Sequence, residues 1–247
     1  MMAFVDLLLG AFTVFLATSL GSAGILLFRG RGIKQKDYSN IISFCAGVMA
    51  FSAMEMFTES RMHVGDTVAI EGLLVGVLAL LALERSLPHL HFVLRKTKMS
   101  DSKKKATLIA GTITIHNIPE GLAVASAFAH SIPLGWLVTS SIAIQDAPEG
   151  MLVAAPLMCY GMSRRRSFKY GVFSGIVEGV AALFAYALLS SVIAIIPPAL
   201  SFAAGAMSYV VLAELLPDAF KGRPWAVALF FVGGVLVAFG IASFLKF

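Results

Sequence analysis

Charge is scarce in this chain: Asp, Glu, Lys and Arg together make up 13% of its 247 residues, and only 14 residues are acidic. The surface of a soluble globular domain needs roughly twice that share, so composition argues against one. Cysteine is nearly absent, and Cys45 and Cys159 both fall in apolar stretches, which excludes a disulfide-stapled scaffold and leaves them as small apolar residues. The first 28 residues contain no Lys or Arg, so they lack the basic leader of a signal peptide and read as a retained first helix. There is no GxxxxGK[ST] phosphate loop and no HExxH pair, the sequence markers of a nucleotide-driven pump and of a zinc protease. No polar stretch is long enough to build a separate soluble domain.

Apolar residues fill the space. They make up 58% of the chain, and the mean hydropathy is +0.87. Runs long enough to span a bilayer, about 20 residues each, occur at roughly 4–28, 39–60, 65–88, 106–130, 133–160, 169–195, 198–217 and 224–245. The reading is therefore an all-α polytopic membrane protein: one membrane domain, 1–247, with eight transmembrane helices and one longer polar connection at about 92–105. The net charge of +5 invites a nucleic-acid reading, but 17 of the 19 basic residues follow spans one, three, five and seven, with only Arg61 and Lys246 opposite. The positive-inside rule then places those loops in the cytoplasm and both termini outside. No nucleic-acid partner is expected.

Spans two and seven resemble each other: Ala46-Gly47-Val48-Met49-Ala50-Phe51 parallels Ala204-Gly205-Ala206-Met207-Ser208-Tyr209, and acids follow in each, Glu55 and Glu59, then Glu214 and Asp218. Four crossings separate them, so the two helices run oppositely, as in a 3+2+3 inverted repeat around spans four and five. Met49, Met207, Glu55, Glu59, Glu214 and Asp218 are candidate access residues for cations, with solvated helix ends as the plainer reading of the acids.

The polar residues that do enter the apolar spans are concentrated. His116-Asn117-Ile118-Pro119-Glu120-Gly121 in span four and Gln145-Asp146-Ala147-Pro148-Glu149-Gly150 in span five repeat one pattern 29 positions apart. Acids inside hydrocarbon cost several kcal/mol and mark functional sites by default. Helical spacing puts Glu120 on a face with His116, four residues away, and Asn117, three away; Glu149 stands likewise between Gln145 and Asp146. Each glutamate can therefore bridge two cations, and two such helices facing each other make a two-metal cage. Pro119 and Pro148 cannot donate a backbone bond to Ile115 and Ile144, which frees a carbonyl within each ligand turn, and Gly121 and Gly150 permit close helix approach. Glu178 in span six brings the intramembrane carboxylates to four, the charge that two divalent ions balance; an interhelical hydrogen bond is the other use of a lone polar residue there. One imidazole with several oxygens suits Zn²⁺, Fe²⁺, Mn²⁺ or Cd²⁺ and is too soft for Mg²⁺.

At these residues the sequence resembles the ZIP family, the Zrt- and Irt-like divalent metal transporters, and its GufA-like prokaryotic branch. The His-Asn-x-Pro-Glu-Gly of span four is the family's signature, and Gln145-Asp146 departs from the histidine that many relatives carry there. The resemblance implies one metal held by His116, Glu120, Gln145 and Glu149, and a second by Asn117, Glu120, Asp146, Glu149 and Glu178. It also implies that spans one, four, five and six move against two, three, seven and eight to carry metal inwards. The expected ligands are divalent ions as substrate, one of them open to a structural role. The expected surroundings are the bilayer of the plasma (inner) membrane, and a homodimer is compatible with the reading. His89 and His91 stand where the family often has a histidine-rich loop, and read either as metal-capturing residues or as a helix end. The protein is not expected to be an enzyme. An intramembrane metal-dependent hydrolase is the alternative, and a metal-sensing receptor would need an output domain that the short loops cannot hold.

Overall fold

A computed structural model of the chain describes residues 2–27, 35–95, 101–159, 162–189 and 193–245. The helices in order are α1 (Met2–Leu27), α2 (Gln35–Arg95), α3 (Asp101–His130), α4 (Ile132–Cys159), α5 (Arg164–Leu189), α6 (Ile196–Val210), α7 (Leu216–Ala219) and α8 (Pro224–Leu245). A short 3-10 turn, Ile193–Ile195, precedes α6, and a π turn, Val211–Leu215, joins α6 to α7. Among the described residues there is no strand.

Among the described residues five helices are long and apolar enough to cross a membrane: Phe4–Leu26, Ser39–Leu83, Arg164–Leu189, Ile196–Ala219 and Pro224–Phe244. The motif-bearing α3 and α4, at 30 and 28 residues, also have the length. Large apolar side chains such as Leu20, Phe184, Leu236 and Phe239 stand exposed around the outside, the surface a lipid solvent asks for and water does not.

Where the sequence predicts a connection between spans two and three, the structure has a single bend. Gly65, at φ 78° and ψ 171°, takes a backbone conformation that side chains with a Cβ rarely adopt. The two arms of α2 then run antiparallel along α6. Ser60 Oγ donates to the Pro197 carbonyl at 2.6 Å and Gly72 lies against Pro198 and Ser201, so both arms meet the start of α6 near the bend. Ile42, at the other end of the first arm, clusters with Ala219 of α7. The polar connection expected at 92–105 is also shorter, since α2 continues to Arg95 and α3 starts at Asp101. Lys and Arg are good helix formers, and an acid in the first turn complements the helix dipole, so a helix can outrun its apolar stretch.

The helices pack in two groups. In the first, α1 lies against α4 and α5, and α3 against α4 and α5; in the second, α2 holds α6 and α8. Close backbone approaches cement both. Gly21 and Gly150 lie under the carbonyls of Ala147 and Thr18, where any Cβ would overlap the opposing backbone, and Gly47 and Gly76 lie likewise under Phe231 and Phe202. The main buried cluster joins the groups through Leu7 and Val14 of α1, Met49 and Met56 of α2, Phe128 of α3 and Met207 of α6.

The widened turn in span seven was not legible in the pattern. Pro217 has no N–H and its ring would strike the carbonyl of residue 213 in a regular helix. The turn relieves this by widening, with the Leu216 N–H bonding to the Val211 carbonyl five residues back.

Candidate metal centre

Helices α3 and α4 are joined at Ser131 and run antiparallel, with Phe128 packed over Gly135. That reversal brings the two motif turns level, and Gln145 Nε2 donates to Glu120 Oε1 across the pair. Carboxylate oxygens of Glu120, Asp146 and Glu149 lie within 4.8 Å of one another. The motif glycines recruit the third and fourth walls rather than each other. Gly121 sets α3 against the backbone of α5 at Glu178, and Gly150 sets α4 against α1 at Thr18. Glu178 Oε2 accepts from Thr18 Oγ1 at 3.3 Å, and Asn117 Nδ2 donates weakly to the Ser174 carbonyl at 3.5 Å.

Asn117, Glu120, Gln145, Asp146, Glu149 and Glu178 are all buried. Six of their oxygens have no hydrogen-bond partner among the described residues: Asn117 Oδ1, Glu120 Oε2, Gln145 Oε1, both carboxylate oxygens of Asp146, and Glu178 Oε1. A buried oxygen left unpaired costs about 1–3 kcal/mol, and a buried carboxylate more. Nothing in helix packing requires that arrangement. Of these, the Glu120 and Asp146 carboxylates converge with that of Glu149, an oxygen set hard enough for divalent ions, while Glu178 on α5 is not one of that close group.

The remaining sequence candidates divide. Met49 and Met207 are both buried in the main apolar cluster. Glu55 is half-buried one turn before Glu59. Asp218 pairs with Lys221, and Glu214 sits in the π turn. The side chains of His116, His89 and His91 lie outside the described residues. Sequence reasoning missed Thr18 and Ser174, which reach the site from α1 and α5 and look like ordinary small residues of apolar helices. It also missed His63 and His130, which converge on Glu59; His63, four residues after Glu59 and so on its helical face, was the available signal. Cys45 Sγ points at the Gln145 carbonyl, 3.7 Å away.

The sequence model described as ZIP Zinc transporter matches residues 84–245, which include both motif turns and Glu178. The chain belongs to the ZIP family. Zinc transporter GufA of Myxococcus xanthus is 34% identical over 223 residues, covering 87% of this chain and 84% of GufA. Zinc transporter ZIPB of Bordetella bronchiseptica is 31% identical over 249 residues, covering 96% and 79%. A putative zinc transporter of Arabidopsis thaliana is 30% identical over 178 residues, covering 71% of this chain, which spans only 29% of that longer protein. Matches along nearly the whole chain to GufA and ZIPB include the Gly65 hairpin as well as the motif helices, so the ZIP resemblance extends to both helix groups.

Proposed function

We propose that the chain is a secondary transporter that carries divalent transition-metal cations, Zn²⁺ foremost and also Cd²⁺, Fe²⁺ and Mn²⁺, towards the cytoplasm. The observation that carries the reading is the set of six unpaired buried oxygens between α3, α4 and α5. In this reading, one metal is held by His116, Glu120, Gln145 and Glu149 and the other by Asn117, Glu120, Asp146, Glu149 and Glu178. The two ions balance the four carboxylates, and their ligand sets differ enough for one ion to travel while the other stays. No support for a hydrolase comes from GufA or ZIPB, both named transporters.

The chain crosses the plasma (inner) membrane eight times as one domain, α2 supplying two of the crossings, with both termini outside. The pairing of α1 with α4 and of α5 with α3, and of α8 with the first arm of α2 and α6 with the second, supports an inverted repeat. Exchanging spans one to three for six to eight, and four for five, maps each of these contacts onto another. Movement of α1, α3, α4 and α5 against α2, α6 and α8 gives alternating access. Val124, Ala127 and Phe128, on the stretch of α3 between Glu120 and its outer end, belong to one buried apolar cluster with Met49, Met56 and Met207, and in this reading that cluster is the closed outer gate.

Two measurements bear on this. Cysteines introduced as Lys34→Cys and Arg166→Cys are expected to react with an impermeant thiol reagent only after cells are opened; labelling from outside intact cells reverses the orientation. Thr18→Val removes a support of Glu178, and is expected to weaken metal binding by roughly tenfold, as losing a partner of a metal ligand does. Unchanged binding by isothermal titration would remove Glu178 from the ligand set.

A further inference from the structure

Ten residues beyond Glu120, α3 ends at His130, about 15 Å further along the helix axis. There His130 Nε2 lies 2.9 Å from Glu59 Oε1. His63 Nδ1 is 3.9 Å from the same oxygen, and its ring stands edge-on to that of His130 with centroids 4.5 Å apart. Each of the three offers a ligand atom within 4.8 Å of the others. We propose that Glu59, His63 and His130 bind a divalent cation of borderline softness, Zn²⁺ or an ion like it, at the outer end of the bundle and independently of the carboxylate cluster.

Two imidazoles and one carboxylate are a zinc-type donor set with a fourth, tetrahedral position left for water. Metal–ligand bonds of about 2.0–2.2 Å put tetrahedral donors roughly 3.4 Å apart, so closing the site needs side-chain shifts of about an ångström. The side chains can make them, being 29% exposed at Glu59, 47% at His63 and 13% at His130. His63 Nδ1 also lies 3.0 Å from the Glu59 carbonyl; donating its proton there orients the ring and leaves Nε2 as the nitrogen free to take the metal. Both rings approach the same Glu59 oxygen, His130 across the helix pair and His63 from the next turn of α2, and one shared metal would be coordinated by a ring nitrogen of each together with that oxygen.

The site is separate from the core, because Ala123, Val124, Ala127 and Phe128 of α3 lie between and are packed into the apolar cluster with Met49 and Met56. It also spans the two helix groups, with two ligands from α2 and one from α3. A bound ion therefore favours the arrangement in which α3 stands against α2. That last consequence rests on the proposed movement; the binding does not.

The test uses full-length Glu120→Gln/Glu149→Gln protein in detergent, titrated with Co²⁺ and read by visible absorption. One tetrahedral Co²⁺ per chain, displaced by Zn²⁺, is expected. Adding His130→Ala should weaken binding by at least about tenfold, the scale of losing even an outer partner of a ligand, and His130→Cys should restore it with a thiolate-to-cobalt band. No bound Co²⁺ with the trio intact, or binding indifferent to His130→Ala, overturns the proposal. Because the double substitution alters the interior, unsubstituted protein is also treated with diethyl pyrocarbonate and mapped by mass spectrometry. Zn²⁺ should protect His63 and His130, and equal labelling with and without Zn²⁺ overturns it. Neither readout is uptake, so this site and the transport site fail separately.

Discussion

Proteoliposomes carrying Glu120→Ala or Glu149→Ala protein are expected to take up Zn²⁺ and Cd²⁺ at least about 100-fold more slowly than those with the unaltered chain. Losing a partner of a metal ligand costs roughly 10–100-fold, and these two side chains are proposed as ligands to both ions. Uptake at the unaltered rate would refute the site assignment. The effect on stability should have the opposite sign. Glu120, Asp146 and Glu149 crowd their carboxylates within 4.8 Å in a buried setting, so without metal they destabilise the bundle. Metal-free Glu120→Gln protein should therefore melt at a higher temperature than the unaltered chain, the exchange of stability for function expected at a binding site.

The second large effect is expected at a residue with no ligand atom. Gly150→Leu should destabilise the protein by about 3 kcal/mol or more, the upper range for overpacked interiors. The new side chain would collide with the Thr18 backbone, which has no rotamer with which to yield. Since Thr18 supports Glu178, pushing α1 away from α4 should lower metal binding along with the melting temperature. Gly233→Ala is the control, because a Cβ there meets nothing within 4 Å. Equal melting of Gly150→Leu and unaltered protein, followed by the fluorescence of Trp136 and Trp225, would contradict the close approach.

Much of this was readable from the chain because a bilayer admits few solutions. Backbone groups in hydrocarbon must bond within their own helix, so apolar runs became helices, and an acid at the same place in two of them stood out. Helical spacing then carried Asn117, Glu120, Gln145, Asp146 and Glu149 as far as a shared face. It could not carry them to their partners. Thr18 lies 160 residues from Glu178 in sequence, and the contact depends on where α1 settles against α5, which apolar pattern alone does not specify. The same limit hid the meeting of His63 with His130, set by the bend at Gly65 and the end of α3. The two motif glycines were legible as marks of close approach, but not as contacts to α1 and α5. Helix ends were less legible than apolar runs, because a helix can outrun its apolar stretch, as α3 does at Asp101.

The most direct test is anomalous diffraction at the zinc edge from crystals of Zn²⁺-loaded protein. The expected result is two peaks between α3, α4 and α5, roughly 3.5–4 Å apart as in two-metal sites, each about 2.0–2.2 Å from a Glu120 or Glu149 oxygen. Zinc peaks elsewhere in the protein with none beside Glu120 and Glu149 would contradict the carboxylate cluster as the place where the cargo binds.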